Sequence, residues 1–182
     1  MQKWESSAPT EVLRFPNKYL RSLAIAKYLR AAGYTGAVVF TCGNAADALR
    51  QRFVSSDNFT IVEVGPRGLL KTDKWWTPAE IHITWPALFD ATSGHLPLPL
   101  MLEVAAEFKR FLYEKIEIGK QYYVPTGSGE TIVCLHVAFP NTAFCAVYDN
   151  SEPSTTRDPE APLNKFVDDN FRTEYWPGTL GE

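Results

Sequence analysis

The chain lacks any apolar run approaching the ~20 residues that span a bilayer. Its first residues, Met1-Gln2-Lys3-Trp4-Glu5, carry no hydrophobic signal-peptide core. No membrane insertion is therefore expected, and the sequence reads as cytoplasmic. Cysteine is scarce: Cys42, Cys134 and Cys145 are three, widely spaced and never in a C-x-x-C pair. That pattern argues against a disulfide framework and against a cysteine zinc site. His82 and His136 have no partners at metal-ligand spacing, so no metal is expected. An excess of one charge is also missing, since 18 Lys and Arg stand against 21 Asp and Glu. The resulting net charge of −3 disfavours a general nucleic-acid surface, and no nucleic acid is expected as partner. Internal repeats, heptads and low-complexity tracts are lacking. Ser93 and His95 lie near Asp90 without a G-x-S-x-G elbow, which removes the case for a serine nucleophile.

What is present is ordinary globular material. Hydrophobic residues make up 45% of 182 positions, enough for one domain, or two small lobes, with a substantial core. Aromatic residues are abundant, and Trp75, Trp76 and Trp85 crowd one segment. Trp75 and Trp76 are the best candidates for a partner-binding edge, with aromatic core packing as the competing reading.

Periodicity divides the chain. Residues 1–10 read as poorly ordered and Glu11–Phe15 as a short strand. Leu20, Leu23, Ala24, Tyr28 and Leu29 share one face of a helix over 18–32, closed by Gly33. Ala37-Val38-Val39-Phe40 is an unbroken apolar run, as in a strand covered on both faces. A second helix follows Gly43-Asn44, then a strand over 59–64. Thr77-Pro78-Ala79-Glu80 has the form of a helix start with a capping box. A longer helix is expected over 100–115 and a strand over 122–124. Ile132–Phe139 and Ala143–Tyr148 read as two strands of a hairpin joined at Pro140-Asn141. Residues 150–162 read as a polar connector and 163–175 as a terminal helix. Strand, helix and strand alternating through short links predict an α/β fold: three layers, with a mostly parallel sheet flanked by helices. One compact unit is expected over 1–182, with a small lobe at 16–64, a second at 98–149, and a connector and helix at 150–182.

Three segments suggest chemistry. Pro16-Asn17-Lys18-Tyr19-Leu20-Arg21-Ser22-Leu23 sets a lysine at the mouth of a helix. Thr41-Cys42-Gly43-Asn44 is a turn after a buried strand, its asparagine 26 positions beyond Lys18. Pro125-Thr126-Gly127-Ser128-Gly129-Glu130-Thr131 has the composition of a phosphate cradle. In this order they resemble the fold-type-II pyridoxal-phosphate enzymes, the tryptophan synthase β superfamily. The nearest branch is that of aminocyclopropane-carboxylate deaminase and D-cysteine desulfhydrase.

The resemblance implies a reduced tryptophan synthase β-like fold with pyridoxal phosphate as cofactor. Lys18 would be the catalytic lysine that bonds to the cofactor aldehyde. Asn44 would contact the ring oxygen, and Gly127, Ser128, Gly129 and Thr131 would hold the phosphate. A lysine reacts with an aldehyde only as the neutral amine, and the cofactor supplies the carbanion chemistry.

This sequence departs from the family in several places. Pro16 replaces a glycine before Asn17-Lys18. Glu130 stands where the phosphate loop has glycine, which sets a carboxylate beside a dianion and a Cβ in the approach to it. The stretch between the asparagine turn and the phosphate loop is short, and most of the family's C-terminal section is absent. After Thr131 a strand is expected where the family has a helix.

Two functions follow. The first is a non-catalytic relative that has lost its cofactor and binds a macromolecular partner as inhibitor or regulatory module. The second is a minimal pyridoxal-phosphate-dependent lyase or deaminase of a small amino acid. A protein partner or a homodimer is expected, and a second subunit would complete the enzyme's missing parts.

Overall fold

The computed structural model describes residues 3–40, 44–64, 85–89, 96–127, 129–149 and 162–177. The expected helix start at Thr77, the Thr92–His95 loop and most of the 150–162 connector lie outside these residues. The chain divides into two compact units. Unit 1 holds residues 1–17 and 104–182, and unit 2 holds residues 18–103. The class is α/β, and every described strand pairing is parallel.

Unit 2 contains β2 (Gly36–Phe40), β3 (Thr60–Val64) and β4 (Ala87–Leu88), in the order β3-β2-β4. Gly36 to Val39 are all buried, as a strand flanked on both edges and both faces must be. Helix α1 (Asn17–Ala31) precedes β2 and buries Leu20, Ala24, Ile25 and Leu29. Its end is fixed by two backbone bonds. The Gly33 amide donates to the Arg30 carbonyl and the Tyr34 amide to that of Leu29 (3.1 and 3.0 Å). Helix α2 (Asn44–Arg50) links β2 to β3. Cations tie these pieces together. Arg50 pairs with buried Glu63 at 2.7 Å, and Arg30 lies over Phe53 at 4.7 Å, which stacks on Phe59 at 3.9 Å.

Unit 1 contains β1 (Thr10–Val12), β5 (Gln121–Pro125), β6 (Phe144–Asp149) and β7 (Arg172–Trp176), ordered β1-β5-β6-β7. Helices α4 (Glu130–Ala138) and α5 (Pro162–Asn170) cross between β5, β6 and β7. They pack on each other, and on β6 and β7 respectively. Phe144 to Tyr148 are buried without interruption. Helix α3 (Leu98–Leu112) runs from unit 2 into unit 1, where Phe108 meets Phe15 edge-on at 5.0 Å.

Three sequence expectations fail in unit 1. Ile132–Phe139 is not a strand, because Glu130–Ala138 forms α4. The strand signal comes from Val133, Leu135 and Val137, whose alternating apolar spacing also suits a strand. The pairing of β5 with β6 is parallel, which a hairpin cannot connect and a crossover helix can. The terminal helix stops at Asn170, and Arg172–Trp176 becomes β7. Trp4 and Glu5, ahead of Thr10, are docked rather than loose. The Trp4 ring lies 5.1 Å from that of Tyr123, and the Glu5 amide donates to Gln121 Oε1 at 3.1 Å.

Cys145 sits fully buried on β6, its thiol donating to Glu174 Oε2 at 3.4 Å. Burial, then the Glu174 carboxylate, pushes the thiol from an ordinary 9.0 up to about 12. The unfolded chain therefore loses this proton first as the medium turns alkaline. The stability contribution is intact below pH 9 and falls by about 1.4 kcal/mol per pH unit above it, until the folded thiol ionises. Unfolding free energies at pH 8 and pH 10 should differ by about 1.4 kcal/mol more in the native protein than in Cys145→Ala. Equal differences would refute it.

Candidate functional site

Parallel sheets bind ligands in the crevice beyond the carboxyl ends of their strands, where strands turn into helices. The segment Pro125–Thr131 occupies such a position, between β5 and α4. Its entry is fixed by backbone. The Thr126 amide donates to the Val147 carbonyl at 2.8 Å, and Thr126 Oγ1 donates to the Val124 carbonyl at 2.7 Å. Gly127 is exposed, and a Cβ there would meet nothing within 4 Å. Gly129 is the N-cap of α4 with φ of 89°, a left-handed conformation that glycine adopts without penalty. A Cβ there would meet Val167 Cγ2 of α5 at 3.0 Å, so α5 backs the turn closely.

The first turn of an α-helix presents amides that lack intrahelical acceptors and carry the positive end of the dipole. Thr131 lies in that turn of α4 and is 7% exposed. Its Oγ1 accepts a hydrogen bond of 2.7 Å from Asn17 Nδ2, across 114 positions of sequence. Asn17 is itself 7% exposed, and its Oδ1 is buried with no hydrogen-bond partner. Such an orphan acceptor costs about 1–3 kcal/mol. Glu130, the first residue of α4, has no exposed surface at all.

The residues singled out in sequence are therefore distributed as follows. Gly127, Gly129 and Thr131 form one turn in unit 1, and Ser128 lies outside the described residues. Lys18 is exposed in the first turn of α1 and belongs to unit 2, one peptide bond from Asn17. Asn44 begins α2, also in unit 2, and its side chain is outside the described residues. Trp75 and Trp76, with Cys42, Asp90, Ser93, His82 and His95, lie outside them too.

The structure adds two residues to the site. Asn17 sits between a proline and an amphipathic helix, where a polar group asks for a partner, and it finds one in Thr131. Glu130 is completely buried, a fact of packing that no local pattern carries. His136 stands further along α4, edge-on to Phe171 at 5.6 Å, with its pKa lowered by burial. An open depression in unit 2, lined by Arg50, Phe53, Val54, Asn58 and Phe59, includes none of the residues marked by sequence. Among the described residues no group of His, Cys, Asp and Glu is placed to hold a metal ion. Nor is any described helix long and apolar enough to cross a membrane.

No protein-family model, curated protein or solved structure matches this chain.

Proposed function

We propose that the chain is a non-catalytic, reduced relative of the fold-type-II pyridoxal-phosphate proteins, acting by binding a macromolecular partner as an inhibitor or regulatory module. The partner is another protein or a second copy of the chain. The observation that supports this reading is Glu130, wholly buried at the first position of α4. A buried carboxyl group beside the turn is a negative group that any bound anion would have to share the space with. A phosphate dianion bound to the same turn would lie beside that acidic side chain, where like charges repel. The residues present do not fit the cofactor's phosphate.

The test uses the purified full chain, incubated with pyridoxal phosphate, reduced with borohydride and mapped by peptide mass. The expected protein is colourless, with Lys18 modified no more than other exposed lysines, and Lys18→Ala leaves its biological activity intact. Stoichiometric modification confined to Lys18 would overturn the reading.

One observation favours the enzyme instead. The bond from Asn17 to Thr131 attaches the residue before Lys18 to the turn, an arrangement suited to a minimal lyase or deaminase of a small amino acid. In that reading Lys18 bears the cofactor and moves the proton, Asn44 contacts the ring oxygen, and the turn holds the phosphate. The same experiment separates the two.

A further inference from the structure

We propose that β7 pairs antiparallel with β7 of a second copy of the chain, about a two-fold axis at Thr173, so that two four-stranded sheets become one of eight strands. The inference rests on the binding reading above and names both the partner and the surface that meets it. β7 ends its sheet, and among the described residues it pairs with β6 alone. An edge strand offers a row of backbone donors and acceptors to a strand laid beside it. The side chains nearby are those of a contact surface. Trp176 lies edge-on to Tyr123 at 4.8 Å and Tyr123 meets Trp4 at 5.1 Å, three rings that are each part-exposed. Trp, Tyr and Arg are the residues enriched where proteins meet.

Charge selects the occupant. Arg172 and Glu174 stand two residues apart on one face of the strand, with Arg172 Nε donating to Glu174 Oε2 at 3.4 Å. In antiparallel pairing centred on Thr173, Arg172 comes opposite Glu174 of the second copy, and Glu174 opposite its Arg172. Thr173 then faces its own counterpart on the axis. Opposite charges and paired threonines are both favourable cross-strand neighbours. The four charges alternate in sign, so each keeps its opposite within the strand and gains another across it. Centring on Glu174 instead would set carboxylate directly against carboxylate, which is destabilising. A two-fold contact of this kind closes on itself and leaves no edge at β7 for a third copy.

Sedimentation of the full chain over a concentration series is expected to show a reversible dimer. Arg172→Glu should weaken it about tenfold or more, because the symmetry applies each change twice. Adding Glu174→Arg restores opposite charges across the axis and should restore the dimer. Melting curves identify the folded variants, and a second measurement stands apart from charge. Thr173→Cys, oxidised without denaturant, is expected to give a disulfide-linked dimer. Opposed antiparallel residues lie about 4.5–5.5 Å apart at Cα, within disulfide reach. Glu174→Cys should not cross-link, since its two copies stand on either side of the axis. The native chain, with its own three cysteines, is the control. A native chain that sediments only as a monomer would overturn the inference. So would a dimer indifferent to Arg172→Glu, or cross-linking through Glu174→Cys in place of Thr173→Cys. Each of these leaves another protein as the partner in the non-catalytic reading, which fails instead on modification confined to Lys18.

Discussion

Replacing Phe108 with alanine is expected to destabilise the protein by about 3–5 kcal/mol, the range for emptying a large aromatic site in a packed core. Phe108 has no exposed surface and meets the Phe15 ring at 5.0 Å with planes at 83°. Edge-to-face pairs of this kind contribute about 0.5–1.5 kcal/mol beyond the area they bury. The loss has a local consequence as well. Phe15 lies two residues before Asn17, whose amide donates to the Phe15 carbonyl at 2.8 Å. Freeing the Phe15 ring loosens the segment that carries Asn17 to Thr131. Melting temperature should fall by at least about 6 °C for a chain of this size. Phe111, on the same helix but 37% exposed, provides the comparison, and its alanine variant should cost much less. Similar losses at the two positions would refute the assignment of Phe108 to the core.

Much of the fold was legible because its signals are local. The apolar run at Ala37–Phe40 needs no knowledge of the rest of the chain to be read as a doubly covered strand, and β2 is one. Gly33 marks the end of α1 by its backbone alone. The errors arose where distant partners decide. Val133, Leu135 and Val137 alternate as in a strand, yet the parallel pairing of Tyr122 with Phe144 leaves only a crossover between them. Arg172–Trp176 continues an amphipathic pattern from α5, and its pairing with β6 converts it to strand. Trp4 and Glu5 look like a loose terminus until Tyr123 and Gln121 are placed beside them.

The candidate site divides in the same way. Its glycines and its place after a strand are written in the sequence. The contact of Asn17 with Thr131 and the burial of Glu130 are long-range facts. They bear on the functional reading because one leaves an unmatched polar atom and the other buries an acidic side chain at the first position of α4.

The two described glycines of the turn should respond oppositely to substitution. Gly129→Val meets two penalties. A side chain at φ of 89° costs about 1–2 kcal/mol. Its Cβ also starts 3.0 Å from Val167 Cγ2, and overpacking of a filled site costs a further ~1–3 kcal/mol. A combined loss of about 2–5 kcal/mol is expected from chemical denaturation. Gly127→Ala meets neither penalty, since its φ lies outside the left-handed region and its Cβ would stand in open space. It should change stability by less than about 1 kcal/mol, with a small gain favoured because alanine restricts the unfolded chain. Comparable losses at both positions would mean that the turn is held by something other than Gly129 and α5. The turn is thus held on one side by packing against α5 and left open on the other.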